Sequence, residues 1–157
     1  MPHIGTSRRG ALGFVAAAFL SPTLTVAAPA VVIRVHKDPN CGCCTGWVRH
    51  LEAAGFSVVV REEANLQEVR RRLGVPDDLA ACHTAEADGY VIEGHVPAAS
   101  IQRLLKERPA ATGVAVPGMP VGSPGMEGGT PERYAVVLFG LNGRRNYMEF
   151  EGKRSAG

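Results

Sequence analysis

The first part of the chain alternates between short β-branched runs and a stretch whose apolar residues recur at helical spacing. Residues 31–36, "VVIRVH", predict a buried strand, and residues 56–62, "FSVVVRE", predict a second strand. Between them, "TGWVRHLEAA" (residues 45–54) carries one apolar stripe and ends at Gly55, which predicts a helix. A strand, a helix and a strand in so few residues predict a parallel crossover unit.

The next segments continue this alternation. "NLQEVRRRLGV", residues 65–75, has helical spacing, and Arg70, Arg71 and Arg72 are predicted on its solvated face. "YVIEG", residues 90–94, follows an Asp-Gly turn and predicts another strand. A further helix is predicted to begin at Pro97, where the missing N–H has no cost.

The last part of the chain is β-rich. Residues 134–140, "YAVVLFG", and residues 146–152, "NYMEFEG", flank Asn142-Gly143, which is typical of a hairpin turn. The whole pattern predicts an α/β fold with a mixed sheet, a parallel β-α-β start and a C-terminal β-hairpin.

Residues 1–30 have the layout of a secretory signal peptide. Arg8 and Arg9 precede an apolar run that is too short to span a bilayer, and Ala28-Pro29-Ala30 offers a cleavage site. We therefore expect a leader at 1–30, one domain at 31–157 and a periplasmic mature protein with no membrane attachment. The sequence leaves open whether export uses the Sec or the twin-arginine route.

Removal of the leader changes the charge balance. The full chain has 17 Lys and Arg against 15 Asp and Glu, and the leader contains two Arg and no acid. The mature chain is therefore near neutral, with 15 residues of each sign. No basic stripe remains that would favour nucleic acid as a partner.

All four cysteines lie in the mature chain, and three of them crowd one position. "DPNCGCCTGW" places Cys41, Cys43 and Cys44 between the first strand and the first helix, while Cys82 lies far along the chain. An even number of cysteines in an exported protein usually indicates disulfides. Cys41 and Cys44 form a C-x-x-C pair that suits a redox disulfide, but Cys43 is then surplus.

A helix N-terminus favours negative charge, which lowers thiol pKa values and favours the thiolate that binds metals. The C-x-x-C at a helix start resembles thioredoxin-like proteins, and the extra thiol departs from that pattern and indicates a metal. Cys82-His83, predicted in a polar loop before the strand "YVIEG", is a candidate distal half-site. The Gly- and Pro-rich stretch 110–130 presents Met119 and Met126 in repeated Pro-Gly-Met triplets. Thioether and thiolate sulfur together select Cu(I).

"CGCC", "CHTA", "GYVIEGHVPA", "RLLKERP" and "GVAVPGMPVGSPGME" in this order resemble the periplasmic copper-resistance family of CopG type. The resemblance covers residues 31–150. It implies a thioredoxin-like fold that holds several copper ions as a copper–thiolate cluster and functions in copper detoxification, with a proposed role in copper redox chemistry. The cluster ligands it implies are Cys41, Cys43, Cys44 and Cys82. Their sequence context, and not the resemblance, makes His83, Met119 and Met126 candidate additional ligands or close neighbours of the metal.

Crowded thiols suit sulfurs that each bridge two Cu(I) ions better than one closed tetrahedral zinc site. The first hypothesis is therefore a periplasmic copper-binding protein, with or without Cu(I)/Cu(II) turnover, whose partners are copper ions and periplasmic copper-handling proteins. A thiol–disulfide oxidoreductase that uses Cys41 and Cys44 is the second. A structural metal or disulfide module that binds a partner through the Gly/Pro loop is the third. No catalytic residue is assigned.

Overall fold

The computed structural model describes Met1 and residues 31–157. The predicted leader and its cleavage site lie outside the described residues, so they stay predictions. No helix in the described part is long and apolar enough to cross a membrane.

Residues 31–157 form one eight-stranded mixed sheet with helices on both faces. The sheet order is β2-β1-β3-β4-β5-β6-β7-β8. The strands are β1 Val32–Lys37, β2 Ser57–Glu62, β3 His83–Ala87, β4 Tyr90–Glu93, β5 Gly113–Ala115, β6 Arg133–Gly140, β7 Gly143–Glu151 and β8 Arg154–Ser155. The helices are α1 Gly42–Ala53, α2 Leu66–Leu73 and α3 Ala98–Glu107, with a 3₁₀ turn at Asp77–Leu79.

The predicted α/β class is confirmed in its main features. β1 and β2 pair in parallel across α1, as the strand-helix-strand pattern predicts. β6 and β7 form the predicted antiparallel hairpin, with Gly143 in the left-handed region at φ +94°. Pro97 is the N-cap of α3, with α3 beginning at the next residue.

Two local predictions were wrong, and both concern cysteines. α1 begins at Gly42 instead of residue 45, so Cys43 and Cys44 lie in its first turn and Cys41 is the N-cap. Cys82 and His83 were expected in a polar loop, yet His83 begins β3, which pairs antiparallel with both β1 and β4. A central strand supplies hydrogen-bond partners on both sides, and this compensates for its low β-propensity.

The helices divide between the two faces of the sheet. Trp47 and Leu51 of α1 share a large core with Ile101 and Leu104 of α3. On the opposite face, a smaller cluster around Val91 and Phe139 packs with Leu73 at the end of α2. The thiols of α1 and the side chains of α2 therefore lie on opposite faces of the sheet.

Candidate metal centre

Three cysteines occupy the N-terminal end of α1. Cys41 and Cys44 are joined by a disulfide, with their Cα atoms 5.5 Å apart. Cys43 is a free thiol in the part of the chain that the structure describes, and its Sγ lies 3.3 Å from Cys41 Sγ. No side chain caps the first backbone N–H groups of α1. These groups place partial positive charge beside the sulfurs.

Strand β3 brings Cys82 to the same place. Lys37 at the end of β1 pairs with His83, so Cys82 lies beside the loop that leads into α1. Its Sγ is 3.9 Å from Cys43 Sγ, and its carbonyl oxygen is 3.6 Å from Cys44 Sγ. All four sulfurs lie within 4.8 Å of one another. The sequence therefore identified four residues that the fold does bring together.

Two histidines complete the cluster around Cys82. Its Sγ lies 3.3 Å from His83 Nδ1 and 2.9 Å from His95 Nε2. Cys82, His83 and His95 can each offer one ligand atom, a sulfur or a ring nitrogen, and these three atoms lie within 4.8 Å of one another. His83 was a predicted candidate. His95 was not among the predicted site residues, although its place in "EGHVP", between a predicted strand and a predicted helix, was a signal for it.

The tautomer of His95 follows from its partners. Nδ1 lies 2.8 Å from the carbonyl oxygen of Pro124, which can only accept, so Nδ1 carries the proton. Nε2 of the neutral ring then keeps a lone pair directed at Cys82. His83 differs, because its Nε2 is buried without a hydrogen-bond partner among the described residues. Nδ1 is the nitrogen of His83 that lies beside the Cys82 sulfur.

Burial determines the protonation of this cluster. The pKa of the Cys82 thiol is raised to about 12, mainly by burial and secondly by the nearby Cys43 thiol. Burial also lowers the pKa of His83 to about 3, with a further contribution from His95, and it lowers the pKa of His95 itself. Both imidazoles are therefore neutral at pH 7. A metal that binds Cys82 must displace its proton.

The Gly/Pro stretch packs over the start of α1. A Cβ at Gly46 would lie 2.9 Å from Gly125 Cα, so helix and loop are in direct backbone contact. Met126 is partly buried, whereas the side chain of Met119 is 52% exposed. The loop therefore covers the site and also anchors His95 through Pro124. A ligand role for either methionine stays a prediction.

The comparisons with known proteins agree with this geometry. Residues 79–126 match a family described as "Protein of unknown function, DUF411". Two solved structures, described as Form 1 and Form 2 of "Copper resistance protein copG", are each 50% identical in sequence to this chain. Each match covers 77% of this chain and 98% of the solved one, with TM-scores of 0.72 and 0.73 respectively. No curated protein matches the chain significantly.

The chain belongs to the CopG copper-resistance family. The predicted resemblance is therefore confirmed. The residues that match the unknown-function family include Cys82, His83, His95 and most of the Gly/Pro stretch, up to Met126. The cysteines of α1 lie outside that match, and the fold joins them to it. A copper-related function and a potential metal site rich in cysteine and histidine are what the CopG relatives and this cluster support together.

Proposed function

We propose that this protein binds Cu(I) in copper resistance through Cys41, Cys43, Cys44 and Cys82. The observation that carries the proposal is the convergence of four sulfurs within 4.8 Å of one another. Sulfur donors select Cu(I) over harder ions, and neutral imidazoles also suit copper. The helix N-terminus and the bound cations would together offset the charge of the thiolates.

The arrangement favours a multinuclear copper–thiolate cluster. Three of the four thiols come from positions 41–44, too crowded for each to serve a separate ion. Thiolates that bridge two ions allow every Cu(I) to reach a small number of sulfurs without spreading the loop. His83 and His95 add neutral nitrogen donors on the Cys82 side. A single structural zinc would leave these extra donors unused.

The Cys41–Cys44 pair supports a redox role as well. Oxidation of the two thiols to the disulfide releases two electrons and two protons, which is enough to reduce two Cu(II) ions to Cu(I). In the disulfide state, these two sulfurs are no longer available as thiolate ligands. An interconversion of Cu(I) and Cu(II) is therefore chemically available at this site, and an external reductant would restore the thiols.

We further propose a periplasmic location, because the expected leader at 1–30 precedes the cysteine-bearing domain. Mass spectrometry of the exported form should show a mature N-terminus between Ala28 and Val31. A mature protein that retains Arg8 and Arg9 would contradict this proposal. Periplasmic copper-handling proteins are then the expected partners.

A second candidate function is thiol–disulfide exchange through Cys41 and Cys44. The disulfide between them favours it, since this C-x-x-C lies at a helix N-terminus. It requires no metal and gives no role to the neutral histidines beside Cys82. For this reason we rank it below copper binding.

Anaerobic titration separates these functions. The reduced protein is titrated with Cu(I) against a chromogenic Cu(I) chelator, and bound copper, zinc and free thiols are counted. More than one copper per chain supports the cluster. A reversible disulfide without retained copper supports thiol exchange. One tightly held zinc supports a structural module.

A further inference from the structure

A buried ion pair lies behind the site, on the opposite face of the sheet. Arg70 of α2 and Glu93 of β4 approach with Nε 3.0 Å from Oε1. The side chain of Glu93 is fully buried and that of Arg70 is 12% exposed. The expectation that Arg70 belongs to a solvated face was therefore wrong.

The pair converges on Ala81, the residue before Cys82. Glu93 Oε1 accepts the Ala81 backbone N–H at 2.7 Å. The guanidinium of Arg70 donates to the Ala81 carbonyl oxygen. Glu93 Oε2 also accepts the hydroxyl of Thr84 at 2.5 Å. Both peptide groups that flank Ala81 are thus held by the same ion pair, and the second of them leads directly into Cys82.

Packing restrains the same residue from another side. Gly94 lies so close that a Cβ on it would be 2.7 Å from Ala81 Cβ and 2.6 Å from the carbonyl oxygen of Val116. Its φ of +72° also disfavours other residues. Ala81 precedes β3, so no strand ladder fixes its peptide groups. The ion pair and the contact with Gly94 do so instead.

Net stability is a weak reason for such a pair. Removing two charges from water carries a desolvation cost that often equals or exceeds their attraction, and apolar residues of similar size frequently serve as well. Apolar residues, however, could not form hydrogen bonds with the backbone N–H and carbonyl of Ala81. The position of Cys82 depends on that residue.

We propose that Arg70 and Glu93 are positioning residues that fix the backbone at Ala81 and so hold the Cys82 thiol against Cys43 and His95. The expected effect on copper affinity rests on the proposed function. The effect on the position of Cys82 concerns the metal-free protein and can be tested without copper.

The first test uses reduced, metal-free protein. Arg70→Met and Glu93→Gln are compared with wild type and with Ile92→Val, a core control on the same strand as Glu93. Alkylation of Cys82 and Cys43 is followed by peptide mass spectrometry. Cys82 should react about tenfold faster in the two variants. Arg70→Met removes the donor to the Ala81 carbonyl, and Glu93→Gln removes the charge that holds the guanidinium there, so both changes make local opening at Ala81 easier. Cys43 should change little, and Ile92→Val should leave both rates near wild type.

The second test is a double-mutant cycle with Cys82→Ser. In the wild-type background, Arg70→Met should lower Cu(I) affinity about 10- to 100-fold, the range for loss of a group that orients a ligand. In the Cys82→Ser background, it should lower the affinity little further, because the thiol through which it acts is absent. A variant that simply loosened the fold would weaken both backgrounds alike.

The outcomes separate the two proposals. Unchanged Cys82 alkylation in Arg70→Met and Glu93→Gln, or equal losses of affinity in both backgrounds, would overturn the positioning role. Wild-type protein that binds no Cu(I) would overturn the proposed function, and the alkylation rates would still decide the positioning role. If Arg70→Met fails to fold, Glu93→Gln supplies both measurements, because it retains the side-chain shape.

Discussion

Replacing Cys82 with serine removes one of the four sulfurs and changes little else. The serine hydroxyl can still donate to His95 Nε2, which lies 2.9 Å from Sγ in the native site. The fold should therefore persist, with a loss of about 1 kcal/mol or less in the free energy of unfolding. Cu(I) affinity should fall at least about 10- to 100-fold, or about 1.4–2.8 kcal/mol.

The stoichiometry should fall as well. If each sulfur bridges two ions, loss of Cys82 removes two copper–sulfur bonds, and at least one copper per chain should be lost. The assay is copper per protein under a competing Cu(I) chelator, with thermal unfolding measured on the same samples. The matched control is Met119→Ala, which removes a neutral, half-exposed thioether. It should weaken binding less, since a thioether does not bridge as a charged thiolate does.

Two results would refute this reasoning. Wild-type binding by Cys82→Ser would mean that the distal thiol is structural and that the site is confined to the three cysteines at α1. A larger loss in Met119→Ala than in Cys82→Ser would make the Gly/Pro loop the primary source of ligands.

Three further predictions test other parts of the site. His95→Gln should lower Cu(I) affinity about tenfold in the same chelator competition, because it removes the lone pair beside Cys82; an unchanged affinity would limit His95 to hydrogen bonding. Protein oxidised to the Cys41–Cys44 disulfide should bind less Cu(I) per chain than reduced protein, and a phosphine reductant should restore binding; equal binding in both states would exclude these sulfurs as ligands. Gly125→Ala should destabilise the protein by about 2–4 kcal/mol in urea unfolding, since its Cβ would meet Cys43 O at 2.5 Å and its φ is +89°. Gly128→Ala, also at positive φ but with nothing within 4 Å, should be milder.

Strong periodicity carried the successful part of the sequence analysis. The valine-rich runs of β1 and β2, the apolar stripe of α1 and the Asn-Gly hairpin turn each have a local physical cause, and the structure has all of them. The start of α1 was placed too late because "CGCC" lacks a side-chain cap and contains glycine. Helix boundaries depend on such caps, so the position of the thiols within the first turn was not predictable from spacing.

The remaining errors concern polar residues that the fold buries. "HTAEA" has no apolar run, so no strand was predicted there and His83 was placed in a loop, although the segment is the central strand β3. Arg70 was assigned to solvent because it is one of three consecutive arginines, yet in α2 it forms a buried ion pair with Glu93 of β4. An interpretation based on periodicity places polar side chains in solvent. It contains no information on whether two polar side chains from distant parts of the chain will form hydrogen bonds with each other inside the protein.

These errors meet at one place, residues 81–83, and chemistry explains why. A sulfur ligand that comes from a distant part of the chain must be held in position before the metal arrives, or binding must order it at a cost in affinity. Apolar packing restrains side chains but leaves backbone N–H and carbonyl groups without partners. Here charged side chains supply those partners from the opposite face of the sheet. A polar run beside a candidate ligand cysteine is therefore as consistent with a buried segment held by hydrogen bonds as with a solvated loop. If the segment is buried, a charged residue elsewhere in the chain is expected to bind its backbone.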